Sequence, residues 1–461
     1  MPERYDVVAI GGGTGGMTAA KLAKEAGAKV ALVDREQLGG DCLHTGCVPT
    51  KTMVASAKLF HDIKRAELFG IKVGAPEIDF AGFMRRKDSV IAEIQQMESP
   101  EVFRDLGIDV LFGEARFESP RELHVGEQLI EAGKFVIAAG SSPIVPEALK
   151  PAGALTNIEL LSLAEMPESL IVVGGGPIGT EFAQIFQRIG CQVTQIHPGD
   201  HILPKEDPEL ALQLAGILAG EGLRFEPNAR VSRAWREDGL VRAELSSGKT
   251  VSAEQMLVAT GRGPNVAGLA LEKAGVRYDQ KGIQVDDELR TTAENIWACG
   301  DVIGQYLFTH VADDQARTLA VNLRGKHKKW TDRVVPWATF TDPELARVGL
   351  TEAEARHKYG RRVKVLRWPF NKIDRALCEG EPEGLIKVIT APGWMRGRVG
   401  GEIVGVHILG ERAGELLHEF LPIMRARLPA GLVAWPIHVY PTLSIGVRTS
   451  VGQLFVRDLP S

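Results

Sequence analysis

The chain has 461 residues, of which 44% are hydrophobic and 25% charged, and its formal net charge at pH 7 is −5. At roughly 100–200 residues per domain, this length predicts about three domains. This net charge gives no indication of binding to nucleic acid or to an anionic membrane, both of which attract basic surfaces. With no run of about eighteen apolar residues and no leader before the first strand, we expect a cytoplasmic protein.

The first predicted elements form a strand-helix-strand unit with a glycine-rich turn. A strand over residues 5–10 runs into GGGTGG at residues 11–16, a helix-like stretch closes at Gly27, and a strand over residues 29–33 ends at Asp34. In such a unit a pyrophosphate binds the backbone N–H groups at the helix start, and the carboxylate accepts hydrogen bonds from a ribose. The predicted contacts are Gly11, Gly13, Gly16 and Asp34.

Two cysteines, Cys42 and Cys47, follow this unit in the segment GGDCLHTGCVPTK at residues 39–51. A thiol pair that opens a helix can be held as thiolate or disulfide, and a neighbouring flavin can exchange two electrons with it. Zinc would need two further ligands, whereas the other three cysteines stand singly. A structural disulfide is disfavoured in a chain with few cysteines. We therefore predict a redox-active pair and no metal site.

A second unit matches the first position for position. A strand over residues 170–173 leads into GGGPIG at residues 174–179, a helix closes at Gly190, and a strand covers residues 192–196. Two such units predict two bound dinucleotides. His197 stands where NAD-selective proteins usually carry an acid. A neutral imidazole can accept from a ribose hydroxyl and an imidazolium can attract a 2′-phosphate, so the choice between NAD and NADP stays open.

With these motifs the chain resembles the flavin disulfide reductases, the FAD-dependent pyridine nucleotide-disulfide oxidoreductases that include dihydrolipoamide dehydrogenase, glutathione reductase and mercuric reductase. Further matching segments lie at residues 138–141, 259–265, 291–301 and 339–350. The resemblance covers nearly the whole chain and implies an α/β fold with two Rossmann-like domains and a C-terminal α+β dimerisation domain. The implied boundaries are 1–148 and 265–333 for FAD, 149–264 for NAD(P), and 334–461 for formation of a homodimer.

The resemblance also implies a role for each matching residue. Cys47 should face the flavin as a thiolate, and Cys42 should exchange with the external substrate. Lys51, with Glu181 as its acidic partner, should keep a positive charge near the flavin. The implied cofactor contacts are Gly11, Gly13, Gly16, Asp34, Arg35, Gly40, Asp41, Lys51, Ala115, Ala139, Gly140, Asp301, Gly174, Gly176, Gly179, His197, Gly261 and Arg262.

The C-terminal motif departs from the family. Its members usually supply a histidine and a glutamate from the partner subunit as an acid-base couple, but HVYPTLSI at residues 438–445 places Tyr440 and Ile445 there. A phenol with a pKa near 10 is a poor base, and loss of a positioned base costs about 10²–10⁴-fold in rate. Three explanations stay open. His438 acts as the base, since residues 438 and 440 share a face of an extended segment; a soft metal ion is the acceptor; or a specialised disulfide brings its own acid or base.

The sequence favours electron flow between NAD(P)H, FAD and the Cys42–Cys47 pair, with dihydrolipoamide dehydrogenase-like chemistry on a lipoyl-type disulfide as the leading form. One alternative is a mercuric reductase-like enzyme or a reductase of quinones or other non-disulfide acceptors. Mercury is disfavoured because residues 454–461 hold no cysteine pair. The other alternative is a redox-sensing flavoprotein with little turnover. We expect Cys191 and Cys299 to be structural and Cys378 to lie exposed in a loop.

Overall fold

The computed structural model describes residues 2–330, 334–393 and 400–455. The predicted boundary at residue 333 and the last six residues of the chain lie outside the described residues, and the domain boundaries as a whole stay a prediction. Among the described helices, none has both the length and the apolar character needed to cross a membrane.

The first part of the chain builds a sheet around a buried parallel strand. Its elements are β1 Glu3–Ile10, α1 Thr14–Glu25, β2 Val30–Asp34, α2 Gly40–His44, α3 Cys47–Lys64, α4 Phe80–Met97, α5 Pro100–Asp105, β3 Asp109–Phe112, β4 Ala115–Ser119, β5 Glu122–Val125, β6 Gln128–Ile137 and β7 Ser141–Pro143. The sheet order is β3-β2-β1-β6-β5-β4, and β1 is parallel to β2 and β6. The second half of β1 is apolar and buried without alternation, as a strand covered on both faces requires.

The second part repeats this plan. Its elements are α6 Asn157–Leu160, β8 Ser169–Val173, α7 Pro177–Ile189, β9 Gln192–Ile196, α8 Pro208–Gly220, β10 Arg224–Glu226, β11 Val231–Glu237, β12 Leu240–Leu245, β13 Thr250–Ala253, β14 Gln255–Val258 and β15 Arg262–Pro264. A parallel sheet has the order β10-β9-β8-β14, beside an antiparallel sheet of β11, β12 and β13. Phe182, Ile185, Phe186 and Ile189 bury one face of α7. The helix ends at Gly190, which has a positive φ of 114°.

The chain then returns to the first sheet. This part contains β16 Tyr278–Asp279, β17 Gly282–Ile283, β18 Ile296–Ala298 and α9 Thr309–Asn322. Strand β18 pairs in parallel with β6, and its residues join the same buried core as β1 and α1. The start of α9 is thereby placed beside the first glycine turn.

The C-terminal part is a five-stranded antiparallel sheet with helices. Its elements are β19 Pro336–Thr339, β20 Glu344–Gly349, α10 Glu352–Tyr359, β21 Lys364–Pro369, α11 Asp374–Glu379, β22 Leu385–Ala391, β23 Glu402–Gly410, α12 Ala413–Leu417, α13 Leu421–Arg425 and α14 Ser444–Gly452. The strand order is β19-β20-β23-β22-β21. The predicted fold class is thus confirmed. The expectation for Cys378 was wrong in one respect: the residue is exposed, but it lies within α11.

Candidate functional site

The two cysteines lie at a junction of two helices. Cys42 belongs to the short helix α2, and Cys47 is the first residue of the 18-residue helix α3. Both thiols are free. Because the first N–H groups of a helix point toward its N-terminal residue, this position favours a negative charge on the Cys47 sulfur.

The electrostatic surroundings distinguish the two thiols. The pKa of Cys47 is lowered to about 6, mainly by hydrogen bonding to Cys42 and further by Lys51 and Thr309, against the opposing effects of burial and Glu181. The same hydrogen bond, together with burial, raises the pKa of Cys42. At neutral pH the pair therefore holds one thiolate, on Cys47, and one proton, on Cys42.

Thr309 is a site residue that the sequence analysis missed. Its Oγ1 lies 3.7 Å from the Cys47 sulfur, because β18 and the following turn bring the first residue of α9 to the start of α3. The next residue, His310, places its Nε2 2.8 Å from the Pro336 carbonyl oxygen. No sequence signal beyond the position of Thr309 at a helix start indicated the contact with Cys47.

Lys51 and Glu181 come together as predicted, from helices α3 and α7. Lys51 Nζ lies 2.9 Å from Glu181 Oε2, and it also lies 4.5 Å from the centre of the Phe340 ring. The other oxygen, Glu181 Oε1, accepts the Phe340 N–H at 2.8 Å. The Glu181 side chain is only 5% exposed and that of Lys51 34%. One turn after Cys47, a cation is therefore fixed by a buried carboxylate.

The first glycine turn fits a dinucleotide. A Cβ on Gly11 or Gly16 would lie 2.2 Å or less from a backbone oxygen, whereas one on Gly13 would meet nothing closer than 3.8 Å. Gly13 therefore leaves open the space in which a pyrophosphate approaches the start of α1. Asp34, at the end of β2, accepts the Gly12 N–H at 2.6 Å.

Of the other predicted contacts of the first dinucleotide, Gly40 packs directly against this turn. Gly40 approaches Gly13 so closely that a Cβ would lie 2.7 Å from its Cα. Arg35 is exposed directly after β2, and Ala115 opens β4. Two further predicted contacts, Ala139 and Gly140, are hydrogen-bonded to Asn265. The Asn265 N–H donates to the Gly140 oxygen at 3.0 Å, and its Nδ2 donates to the Ala139 oxygen at 2.9 Å.

A polar chain links Asp41, in α2, to Asp301. Arg262 Nη2 lies 3.2 Å from Asp41 Oδ2, and Arg262 Nε donates to Ser141 Oγ at 2.8 Å. Ser141 Oγ in turn donates to Asp301 Oδ2 at 2.6 Å. Burial raises the pKa of Asp301, which Ser141 and Arg262 partly offset. Three predicted contacts, Asp41, Arg262 and Asp301, are thus joined through Ser141 in one hydrogen-bonded chain.

The second glycine turn repeats the first. A Cβ on Gly174 would lie 2.2 Å from the Ala259 oxygen, and one on Gly179 would lie 2.4 Å from the Gly174 oxygen. A Cβ on Gly176, at the start of α7, would meet no atom within 4 Å. This turn also fits a pyrophosphate. His197 lies buried directly after β9, and Gly261 has a φ of 146° before β15.

Among the described residues of a single chain, neither His438 nor Tyr440 contacts Cys42 or Cys47, and the family resemblance implies that this segment acts across the dimer interface, so the catalytic roles of His438 and Tyr440 stay a prediction. His438 Nε2 lies 3.1 Å from Glu419 Oε2 and Nδ1 lies 2.9 Å from the Pro436 oxygen. Tyr440 Oη donates to Asp374 Oδ2 at 2.7 Å. The two side chains differ in exposure, 8% for His438 and 67% for Tyr440, and the expectation that they share a face stays a prediction.

Comparison with known proteins decides the family. The pyridine nucleotide-disulphide oxidoreductase family matches residues 5–316, and its dimerisation domain matches residues 335–451. The chain belongs to this family. Pyridine nucleotide-disulphide oxidoreductases use FAD and NAD(P)H, and the dimerisation domain supports a homodimer. Among the described residues, no group of three or more His, Cys, Asp or Glu side chains is placed to hold a metal ion.

Several members of the family are similar along nearly the whole chain. Dihydrolipoyl dehydrogenases of Bacillus subtilis (strain 168) and Thermus scotoductus are 36% and 37% identical, covering 94% and 98% of this chain and 95% and 98% of their own. Mercuric reductase of Lysinibacillus sphaericus is 32% identical over 99% of this chain and 84% of its own. The Cu(II) complex of the HOCl-induced flavoprotein disulfide reductase RclA from Escherichia coli superposes with a TM-score of 0.88, at 30% identity over 98% and 99% of the two chains.

Proposed function

We propose that this oxidoreductase uses NAD(P)H to reduce a thiophilic metal ion that the sulfurs of Cys42 and Cys47 bind directly. The observation that carries the proposal is the state of the C-terminal segment: Tyr440 is hydrogen-bonded to Asp374 at 2.7 Å, and this bond raises the pKa of its phenol. Such a group neither takes a proton from a thiol nor gives one to a substrate near neutral pH.

His438 is a poor replacement for the missing base. Glu419 and the Pro436 carbonyl oxygen occupy both of its ring nitrogens, and the side chain is 8% exposed. A general base needs a free nitrogen within hydrogen-bond reach of the proton that it removes. The contacts of His438 with Glu419 and with the Pro436 oxygen therefore argue against the first of the three explanations, in which His438 acts as the base.

The second explanation fits the chemistry of the acceptor. Oxidation of the Cys42–Cys47 dithiol to a disulfide releases two electrons, which reduce two Cu(II) ions to Cu(I) or one Hg(II) ion to Hg(0). The thiol protons go to solvent, and the acceptor takes none. A disulfide acceptor needs two protons as well as two electrons, and soft ions also prefer thiolate ligands. The similar mercuric reductase and the Cu(II) complex of RclA support this class of acceptor.

We assign the remaining predicted residues to cofactor binding and charge stabilisation. Bound FAD supplies the route by which NAD(P)H electrons reach the disulfide. Lys51 holds a positive charge beside Cys47, and Glu181 fixes its position. The turn around Gly13 with Asp34 and the chain ending at Asp301 hold FAD, and the turn around Gly176 holds the nicotinamide nucleotide. The chain has only five cysteines, and we propose that it works in a reducing compartment such as the cytoplasm.

A lipoyl-type disulfide is the second candidate, favoured by dihydrolipoyl dehydrogenases at 36% and 37% identity. In that case the substrate or its carrier supplies the proton. The double substitution Tyr440→His plus Ile445→Glu introduces the histidine-glutamate couple of the family. It should then raise the rate of lipoamide turnover by about 10²–10⁴-fold and leave the rate of metal-ion reduction unchanged. Turnover below about 1 s⁻¹ with every acceptor would instead support a redox sensor.

The test is an anaerobic assay of the FAD holoenzyme with NADH or NADPH and three acceptors: Cu(II), Hg(II) and lipoamide. Cu(I) is trapped by a chelator, and reduction without enzyme is subtracted. We expect metal reduction that Cys42→Ser and Cys47→Ser abolish. Cys378→Ser, which removes an exposed thiol elsewhere, is the matched control and retains activity. Rapid lipoamide turnover without cysteine-dependent metal reduction would refute the proposal.

A further inference from the structure

We infer that Trp337, held in place by Glu206, is a positioning residue for the redox thiols: it fixes the start of α9 and so keeps the Thr309 hydroxyl against the Cys47 sulfur. The inference rests on the proposed redox role of Cys42 and Cys47. It does not depend on which acceptor the two thiols reduce.

The contact that needs support is the one between Thr309 and Cys47. Thr309 is the first residue of α9, and its Oγ1 lies 3.7 Å from the Cys47 sulfur. After Cys42 and Lys51, this hydroxyl lowers the pKa of Cys47 further. A side-chain oxygen at the N-cap usually stabilises a helix start, but the N-cap of α9 is Phe308, which offers none. The position of the Thr309 hydroxyl therefore depends on contacts from outside the helix.

Strand β19 supplies these contacts on both sides of Thr309. The Phe308 ring stacks on the Trp337 ring, with the ring centres 5.7 Å apart and the planes inclined by 17°. The His310 Nε2 lies 2.8 Å from the Pro336 oxygen, and its ring stacks on Phe308 at 5.4 Å. Aromatic pairs of this kind stabilise by about 0.5–1.5 kcal/mol beyond the area that they bury. Because Phe308 and His310 flank Thr309, a displacement of Trp337 displaces the Thr309 backbone.

The Trp337 ring is itself held by the segment that precedes α8. Its Nε1 donates to Glu206 Oε1 at 2.6 Å. The guanidinium of Arg347, the residue opposite Trp337 on β20, lies 4.6 Å from the ring centre and also donates to the Lys205 oxygen.

Glu206 is an unusual residue for this place. It is 4% exposed, and among the described residues its Oε2 is buried without a hydrogen-bond partner. Burial of a carboxyl group costs free energy that one hydrogen bond only partly offsets. The hydrogen bond from the Trp337 indole is therefore the contact that accounts for a carboxyl group here. Without this acceptor the indole N–H would be left unpaired, and the ring would lose the orientation in which it stacks on Phe308.

The test is a pH titration of Cys47 in the oxidised FAD holoenzyme of Cys42→Ser, in which Cys47 is the remaining thiol of the pair. The charge-transfer band from the Cys47 thiolate to the flavin reports ionisation and needs no nucleotide, acceptor or turnover. Thr309→Val removes the hydroxyl and should raise the pKa of Cys47 by about 0.5 pH unit. Trp337→Leu and Glu206→Leu should each reproduce most of this rise. Glu206→Gln keeps an acceptor for the indole N–H and should leave the pKa at the value of the parent.

A double-mutant cycle separates positioning from general stability. Trp337→Leu added to Thr309→Val should raise the pKa of Cys47 no further, because the hydroxyl that Trp337 positions is already gone. Trp235→Leu on β11 is the matched control, since the Trp235 ring also lies 4.6 Å from an arginine guanidinium. This control should leave the pKa unchanged.

An unchanged pKa in Trp337→Leu with normal FAD content, or a second rise of the same size in the Thr309→Val background, would overturn the inference. If Trp337→Leu does not retain FAD, equal pKa values in Glu206→Leu and Glu206→Gln would overturn it instead. Absence of the band in the parent at every pH would remove the redox assignment on which the inference rests. Absence of metal-ion reduction together with the expected pKa changes would refute the proposed acceptor and still support the role of Trp337.

Discussion

Removal of the Cys42 thiol should raise the pKa of Cys47, and the size of the change follows from the contacts of the pair. We consider Cys42→Ala, which deletes the hydrogen-bond donor, and Cys42→Ser, which keeps a donor of similar size. The pKa of Cys47 lies at about 6, against an ordinary 9.0, and hydrogen bonding to Cys42 is the largest of its causes. Lys51 and Thr309 contribute less, and burial opposes all three.

The expected magnitude is a rise of ~1.5 pH units in Cys42→Ala, about half of the total lowering. At pH 7 the ionised fraction of Cys47 then falls from roughly nine-tenths to roughly a quarter. In Cys42→Ser the hydroxyl donates in place of the thiol, so the pKa should stay close to that set by the intact pair. The remaining effects of Lys51 and of the helix α3 start act equally on both variants.

The assay is a pH titration of the oxidised FAD holoenzyme of each single-thiol variant. The long-wavelength charge-transfer band from the Cys47 thiolate to the flavin reports the ionisation of Cys47 directly. Equal pKa values in the alanine and serine variants would refute the hydrogen bond as the main cause. Absence of the band at all pH values in both variants, with normal FAD content, would refute the placement of Cys47 against the flavin.

Three further predictions concern stability and binding. Lys387 is 2% exposed and contacts three carboxylates within 2.9 Å; Lys387→Met should cost about 3–5 kcal/mol in denaturant unfolding, because the carboxylates lose their buried cation. Burial raises the pKa of Glu206 from an ordinary 4.5 to about 7. The stabilisation by the protonated carboxyl is therefore complete below pH 4.5 and is lost as the pH rises through about 7. Relative to Glu206→Gln, the free energy of unfolding of the wild type should fall by about 3 kcal/mol between pH 4.5 and pH 8. Denaturant unfolding of both proteins across this range measures the change. A difference in unfolding free energy that stays constant with pH would contradict the raised pKa of Glu206. Gly176→Ala, whose new Cβ meets no protein atom within 4 Å, should keep the melting temperature and weaken NAD⁺ binding at least about tenfold, whereas Gly179→Ala should lower the melting temperature through its contact with a backbone oxygen.

The two dinucleotide-binding units could be predicted from sequence because their signals are local. Each combines a strand, a glycine turn and a helix within about thirty residues, and the glycines are required by close backbone approach. The contact of Thr309 with Cys47 could not be predicted in this way, since 262 positions separate the two residues. It depends on β18 rejoining the first sheet, and a strand of three residues carries little periodic signal.

The same limit applies to side-chain partners in the C-terminal segment. Strand periodicity suggested that residues 438 and 440 share a face, but this segment is not a strand in the structure. Each side chain follows its own hydrogen bond, His438 to Glu419 and Tyr440 to Asp374. Alternation predicts direction only where a ladder of backbone hydrogen bonds holds the segment extended.

The replacement of the family glutamate by Ile445 is best considered together with the replacement of the histidine by Tyr440. Residue 445 is partly buried near the start of α14, and the family glutamate at this position orients the imidazole of the acid-base couple. With Tyr440 in place of that imidazole, a glutamate at residue 445 would have no imidazole to orient. We therefore interpret the two substitutions as one change. Tyr440→His alone therefore should not restore proton transfer, and only the double substitution tests whether the rest of the site accepts a disulfide.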